Sequence, residues 1–153
     1  DWNQARDVRQ QLESISSKDD PLLLELELRA SVASAEYDSP DWHRETEALR
    51  RLIDNHPHPL RRVALQLVLV ERLSSHDIVE SKEILSSVIL PSEAEIGSTT
   101  AGRRLAAILW YWKGSVDEGN RLECWREAIH RFKTAECPNA SQSLTNQMHQ
   151  LLR

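Results

Sequence analysis

Glycine is scarce in this sequence, and the motifs that arrange groups for catalysis are missing. The chain has 153 residues and four glycines. It contains neither a G-x-S-x-G nucleophile elbow nor a glycine-rich phosphate loop. Because glycine lets a backbone approach a substrate closely, few positions offer such an approach. We therefore expect a protein that is not an enzyme, with no catalytic residues and no cofactor.

Positive charge is not in excess either. The chain has 19 lysine and arginine residues against 24 aspartate and glutamate residues, which gives a formal net charge of −5. Binding to the phosphates of nucleic acids requires a concentration of lysine and arginine side chains. The charge balance therefore argues against a nucleic acid as partner.

Cysteine, methionine and long apolar runs are also few. Cys124 and Cys137 are too few for a disulfide framework and lack C-x-x-C spacing, so we expect a reducing, cytoplasmic location, with one optional disulfide left open. No apolar run reaches the roughly 18 residues of a membrane span, and no signal-peptide pattern is present, so we expect no membrane partner. Because the chain begins at Asp1 and its one methionine is Met148, we expect a single domain, 1–153, from a longer protein.

The six histidines do not form a metal-binding pattern. Zinc sites usually bring ligands together at short fixed spacings, such as H-E-x-x-H or paired cysteines, and neither occurs here. His56 and His58 bracket a proline, while Cys124 and His130 are six residues apart, on different sides of a predicted helix. We expect no metal site.

The clearest pattern is a helical hairpin over residues 103–135. Apolar residues recur at i, i+3, i+4 and i+7 in both of its halves, which is the spacing of one helical face. The polar segment KGSVDEGN between the halves predicts the turn. Ser115 and Glu118 have the S-x-x-E spacing of a capping box, which predicts that the second helix begins there.

Similar segments precede and follow this hairpin, separated by prolines and glycines. The predicted helices cover residues 2–15, 22–37, 41–54, 60–73 and 77–90, with a short capped turn at Ser92 and a last helix from Asn139. Residues 60–73 are apolar nearly all round, so a buried strand is the competing interpretation, but their length favours a helix. The sequence predicts an all-α fold of about eight helices.

Weak internal similarity suggests a repeat. Residues 1–2 and 41–42 are both Asp-Trp, 40 residues apart, and residues 61–64 and 103–106 are similar segments 42 residues apart. A period near 40 with two helices per unit is typical of an α-solenoid, in which stacked helical hairpins bury a continuous core. Terminal units without a polar cap would tend to self-associate.

The last hairpin resembles a tetratricopeptide repeat (TPR). Its first helix has the spacing of that family's W-x2-L-G-x2-Y pattern at Leu105, Ile108, Leu109 and Trp112. Its second helix has the A-x3-F-x2-A spacing at Ala128, Phe132 and Ala135, with Pro138 near the family's terminal proline. Leu109 replaces the family's small residue, the link between the helices is longer, and the units run near 40 residues, so HEAT-like repeats remain an alternative. The resemblance implies antiparallel hairpins stacked as a TPR-like α-solenoid, and a protein-binding role.

One tryptophan is a candidate for partner binding. Trp110 and Trp112 lie two residues apart on a predicted helix, so their side chains point about 200° apart. Trp112 belongs to the main apolar face. Trp110 then either packs against a neighbouring repeat, which is the plainer interpretation, or serves as an aromatic anchor in a binding groove.

Two arginine pairs are the other candidates: Arg61 with Arg62, and Arg103 with Arg104. Each begins the first helix of a predicted hairpin, which lines the concave surface in repeat proteins of this type. Aligned arginines there would bind acidic side chains or a C-terminal carboxylate of a partner. The plainer alternative is a solvated helix start with local salt bridges.

These observations predict a non-catalytic protein-interaction module, a scaffold or adaptor that binds a peptide, helix or subunit in a concave groove. A ligand-sensing regulatory domain of a larger protein, such as a transcriptional regulator, is the alternative. It would have a closed pocket between helices, whereas a peptide-binding solenoid would have an open groove.

Overall fold

A computed structural model describes residues 35–153, and every regular element in that range is helical. Seven α-helices follow in order: α1 (Pro40–Asn55), α2 (Pro59–Leu73), α3 (Ile78–Ser87), α4 (Glu93–Gly97), α5 (Thr100–Val116), α6 (Arg121–Thr134) and α7 (Pro138–Leu151). A 3-10 turn (Glu118–Asn120) precedes α6. The predicted helices over 2–15 and most of 22–37 lie outside the described residues. No strand occurs within 35–153, so the prediction of an all-α chain is confirmed there.

Contacts between Cα atoms divide the chain into two compact units, Asp1–Pro57 and His58–Arg153. The boundary falls in the proline-rich segment that separates the predicted helices 41–54 and 60–73. No helix among residues 35–153 combines the length and the apolar content required to cross a membrane.

Helix α1, in the first unit, begins as its sequence predicts. The Ser39 hydroxyl accepts a hydrogen bond from the Trp42 N–H at 3.1 Å, and Pro40 occupies the first turn, where its missing N–H costs nothing. Its buried residues recur on one stripe: Trp42, Thr46, Leu49, Leu52 and Ile53. The predicted helix over 41–54 is therefore confirmed.

Helix α2 confirms the helical interpretation of residues 60–73. It is buried on several sides, as its apolar composition predicted. Val63, Leu67 and Val70 pack with Leu85 of α3 and with Leu109 of α5 in one apolar cluster. Helix α3 starts after the predicted cap, since the Asp77 carboxylate accepts from the Glu80 N–H at 2.9 Å, but it ends at Ser87, three residues earlier than predicted.

Helix α5 is the centre of the second unit because both of its sides are covered. Leu109 and Val116 face the cluster formed with α2 and α3. Ala107 faces a second cluster, formed with Trp125, Ala128 and Phe132 of α6 and with Leu144 and Met148 of α7. The short helix α4 also contacts α5. Because it is covered on two sides, α5 connects the two apolar clusters of the unit.

The turn of the 103–135 hairpin is shorter than predicted. Helix α5 continues through Val116, so residues 113–116 are helical, and Gly114 lies inside the helix. The predicted capping box at Ser115 and Glu118 is wrong. The Ser115 hydroxyl donates to the Tyr111 carbonyl at 2.8 Å, within α5, and Asp117 caps the 3-10 turn instead. A serine hydroxyl can bond back to the carbonyl four residues earlier, and this satisfies Ser115 without starting a new helix.

Gly114 is buried because the indole of Trp125 packs directly on its backbone. A Cβ atom at Gly114 would collide with Trp125 Cδ1 and lie 2.8 Å from Trp125 Nε1 and 3.1 Å from the Arg121 carbonyl oxygen. The indole N–H also donates to the Tyr111 carbonyl at 3.2 Å. The absence of a side chain at Gly114 therefore sets how closely α6 approaches α5.

Arg121 completes the junction between α5 and α6. Its Nε donates to the Gly114 carbonyl at 3.1 Å and its Nη2 to the Ser115 carbonyl at 3.4 Å, and its guanidinium lies 5.6 Å from the Trp125 ring centroid. The last carbonyls of a helix have no partner within it, so a cation here satisfies them and complements the helix dipole. The pairs Tyr111–Trp125 and Gly114–Arg121 show that the two helices run antiparallel.

We predict that Gly114→Ala lowers the free energy of unfolding by about 1 to 3 kcal/mol, the usual effect of overpacking a rigid site. The clash outweighs the gain of roughly 1 kcal/mol that alanine brings to a helix interior. Urea unfolding followed by circular dichroism measures the difference.

Gly97→Ala is the matched control, because a Cβ there meets nothing within 4 Å. It should leave stability unchanged or raise it by at most about 1 kcal/mol. If Gly114→Ala were as stable as the wild type, the packing of the Trp125 indole would not depend on the absence of a side chain at position 114.

Candidate functional site

The larger of the two cavities described within the second unit is an open groove along α5. Its volume is about 460 Å³, and it opens to solvent. Helix α3 forms one wall and the 3-10 turn with the start of α6 forms the other. The lining residues are Lys82, Leu85, Ser86, Val88, Trp110, Lys113, Val116, Asp117, Asn120, Glu123 and Cys124.

Trp110, one of the predicted partner-binding residues, lines this groove. Its side chain is half-buried and packs against the cluster of α6 and α7. The Nζ atom of Lys113 lies 4.8 Å from the centroid of the Trp110 ring, a cation–π geometry. Trp110 therefore both packs internally and lines the groove, and its role as an anchor for a partner stays a prediction.

Charged side chains of both signs surround the apolar floor. Lys82 and Lys113 contribute positive charge, while Asp117 and Glu123 contribute negative charge. The pKa of Asp117 lies below its usual value, mainly because the Asn120 side chain donates to it at 2.8 Å. Burial is the second-largest effect and raises this pKa, while the Gly119 N–H and the charge of Lys82 lower it by smaller amounts. Asp117 is thus a fixed negative charge at neutral pH.

Cys124 is the lining residue with the most reactive functional group, and its surroundings suppress that reactivity. Burial raises the pKa of the Cys124 thiol, and the negative charge of Glu123 adds to the increase. The thiolate is the nucleophilic form of cysteine, so this environment disfavours covalent chemistry. Cys124 contributes an apolar surface to the groove, in agreement with its interpretation as a packing residue.

The predicted arginines do not come together with Trp110. Arg61 and Arg62 are exposed on the first turn of α2, and Arg104 is exposed on α5. These three residues line neither of the two described cavities. Arg103 is half-buried and lines the second cavity, which lies between α4, α5 and α6. Whether the arginines bind a partner stays a prediction.

Several groove residues were not identified from the sequence. Lys113 follows Trp110 by three residues, so helical spacing could have placed it beside the ring. Lys82, Leu85 and Val88 come from α3 and reach the groove through tertiary packing, which no local pattern indicates. Within residues 35–153, no group of three or more His, Cys, Asp or Glu side chains is arranged to hold a metal ion.

Comparison with known proteins found no matching family model, no matching curated protein and no matching solved structure.

We predict that native Cys124 is alkylated by iodoacetamide more slowly than Cys137. Both thiols are free, but Cys124 is buried while Cys137 is half-buried, and the raised pKa of Cys124 leaves less thiolate near neutral pH. Timed labelling at pH 8, followed by mass spectrometry of the two peptides, measures the rates.

Labelling in urea is the control, since unfolding should make the two rates similar. If native Cys124 reacted as fast as Cys137, or as fast as it does in urea, the groove would hold an activated thiol.

Proposed function

We propose that the chain is a non-catalytic protein-interaction module, of TPR-like helical-repeat kind, that binds a segment of a partner protein in the groove along α5. The observation that carries this proposal is Trp110, a half-buried tryptophan in the wall of an open groove of about 460 Å³. Tryptophan anchors in well-packed pockets dominate the binding energy of many protein interfaces.

The packing around Trp110 favours binding with little rearrangement. The ring packs against the cluster of α6 and α7 and lies close to the Lys113 ammonium, so its conformation is restricted before a partner arrives. Restricting a side chain in advance reduces the entropy lost on association. Leu85, Val88 and Cys124 add apolar surface beside the ring.

The charges around the groove indicate the chemistry of the partner segment. Lys82 and Lys113 favour acidic residues, while Asp117 and Glu123 favour basic ones. The expected occupant is an amphipathic peptide or helix with an apolar anchor and charges of both signs beside it. The two carboxylates balance the two lysines, so the groove lacks the concentrated positive charge that binds nucleic acids.

Packing at the repeat-like positions supports the proposed solenoid. Ala128 and Ala135 are completely buried, and Phe132 and Leu109 are buried beside them. Helix α5 contacts α2 and α3 on one side and α6 on the other, as a helix inside a stack of hairpins would. A stack of this kind commonly presents a binding surface. The same proposal places the protein in the cytoplasm.

The alternative of a ligand-sensing domain has less support. It requires a closed pocket between helices, whereas both cavities described in the second unit are open to solvent. The raised pKa of Cys124 likewise favours binding over chemistry in the groove.

Selection from a displayed library of random peptides tests the proposal. The wild-type chain should select peptides that share one aromatic or aliphatic anchor between acidic and basic residues. Trp110→Ala should weaken their binding by about thirtyfold or more, since hot-spot truncations cost at least about 2 kcal/mol. Lys82→Glu reverses a groove charge that comes from α3 and keeps Lys113 and its contact with the Trp110 ring in place, and it should also weaken the binding.

Arg126→Glu is the control, because Arg126 is exposed on α6 and lines neither described cavity. It should retain the selected peptides. Peptides that bind the folded Trp110 and lysine variants as tightly as the wild type would contradict the groove, and loss of binding in Arg61→Ala with Arg62→Ala would move the site to α2.

A further inference from the structure

The second cavity lies between α4, α5 and α6 and has a volume of about 240 Å³. Five ionisable side chains are among its eight lining residues. They are Glu93, Arg103, Glu127, His130 and Arg131. None of them lines the groove along α5, so this cavity is a separate candidate site.

Arg103 brings a positive charge that forms no salt bridge with a carboxylate among residues 35–153. Its Nη1 donates to the Gly97 carbonyl at 2.6 Å and its Nη2 to the Thr100 hydroxyl at 3.1 Å, and both of these acceptors are neutral. Among the described residues, its buried Nε has no hydrogen-bond partner. An arginine stays charged at any physiological pH, and Arg103 stands in the N-terminal part of α5, where the helix dipole is also positive. This side of the cavity therefore attracts an anion.

Arg131 is already bound to a carboxylate that is easily replaced. Its Nη2 and Nη1 lie 3.1 and 3.5 Å from the two carboxylate oxygens of Glu93, while its Nε donates to Glu127 at 2.7 Å. The side chain of Glu93 is 75% exposed, whereas that of Arg131 is 21% exposed. The contacts of Glu93 with Arg131 are longer than the 2.7 Å bond from Arg131 to Glu127, and ion pairs between exposed side chains contribute only about 0.2 to 1 kcal/mol. Glu93 can therefore leave Arg131 at little cost.

The charges then match a single added carboxylate. With Glu93 turned into solvent, two guanidinium groups of the lining face one remaining carboxylate, that of Glu127. We propose that this cavity binds a carboxylate group of a partner protein, which takes the place of Glu93 on Arg131 and is held by the uncompensated charge of Arg103. Glu93 acts as an internal competitor for this site. The proposal does not depend on the groove along α5.

The test follows the side-chain Nε–H signals of Arg103 and Arg131 by NMR during titration with blocked peptides. One peptide has a free C-terminal carboxylate, a second is an amide with one internal glutamate, and a third has glutamine in place of that glutamate. We expect at least one carboxylate peptide, and not the glutamine peptide, to shift both signals. If the peptide with the free C-terminus shifts the signals, the site binds a terminal carboxylate. If the amide with the internal glutamate shifts them, the site binds a side-chain carboxylate.

Two variants make the result specific to the cavity. Glu93→Gln, which removes the competing charge, should lower the Kd by about threefold, the fold-change equivalent of a weak surface ion pair. Arg103→Gln should raise it about tenfold. Glu71→Gln, at an exposed position of α2 outside both described cavities, should leave the Kd unchanged.

The proposal is overturned if neither carboxylate peptide shifts the Arg131 signal in the Glu93→Gln variant. It is also overturned if Glu93→Gln and Glu71→Gln bind equally well. Because Glu93→Gln is isosteric and its side chain is mostly exposed, this variant keeps the test decisive even if Arg103→Gln fails to fold.

Discussion

The contact between the Trp125 indole and the bare backbone of Gly114 determines how the second unit is built. It brings α6 close enough to α5 for the indole N–H to reach the Tyr111 carbonyl and for Arg121 to reach the Gly114 and Ser115 carbonyls. Helix α6 covers one side of α5. Leu109 and Val116 lie outside this contact and pack in the cluster with α2 and α3. The groove exists because α3 and α6 lie on different sides of the same helix.

The lining of the groove supports the proposed recognition of a peptide segment. The groove lining includes a tryptophan with Lys113 close to its ring, a second lysine and two carboxylates. The thiol in its wall has a raised pKa because of burial, so the strongest nucleophile present is suppressed. A concave, partly apolar surface with fixed charges is what a peptide-binding site requires.

Local patterns were sufficient to predict the helices of residues 35–153, but not their contacts. Ser39 and Asp77 cap helices as expected because capping depends on neighbouring residues. Ser115 does not, since its hydroxyl has a carbonyl acceptor inside α5, and Gly114 proved to be a contact point and not a helix end. Trp110 was identified from helical spacing, whereas Lys82 and Arg131 reach their sites only through packing between helices that no local pattern records.

The most direct test of the central claim is to map a selected peptide onto the ¹⁵N-labelled protein by NMR. The account predicts that the largest amide shifts fall in residues 82–88, 110–117 and 120–124, which surround the groove. Shifts centred on α7, or on Arg61 and Arg62 of α2, with the groove residues unchanged, would contradict it and place the binding surface elsewhere.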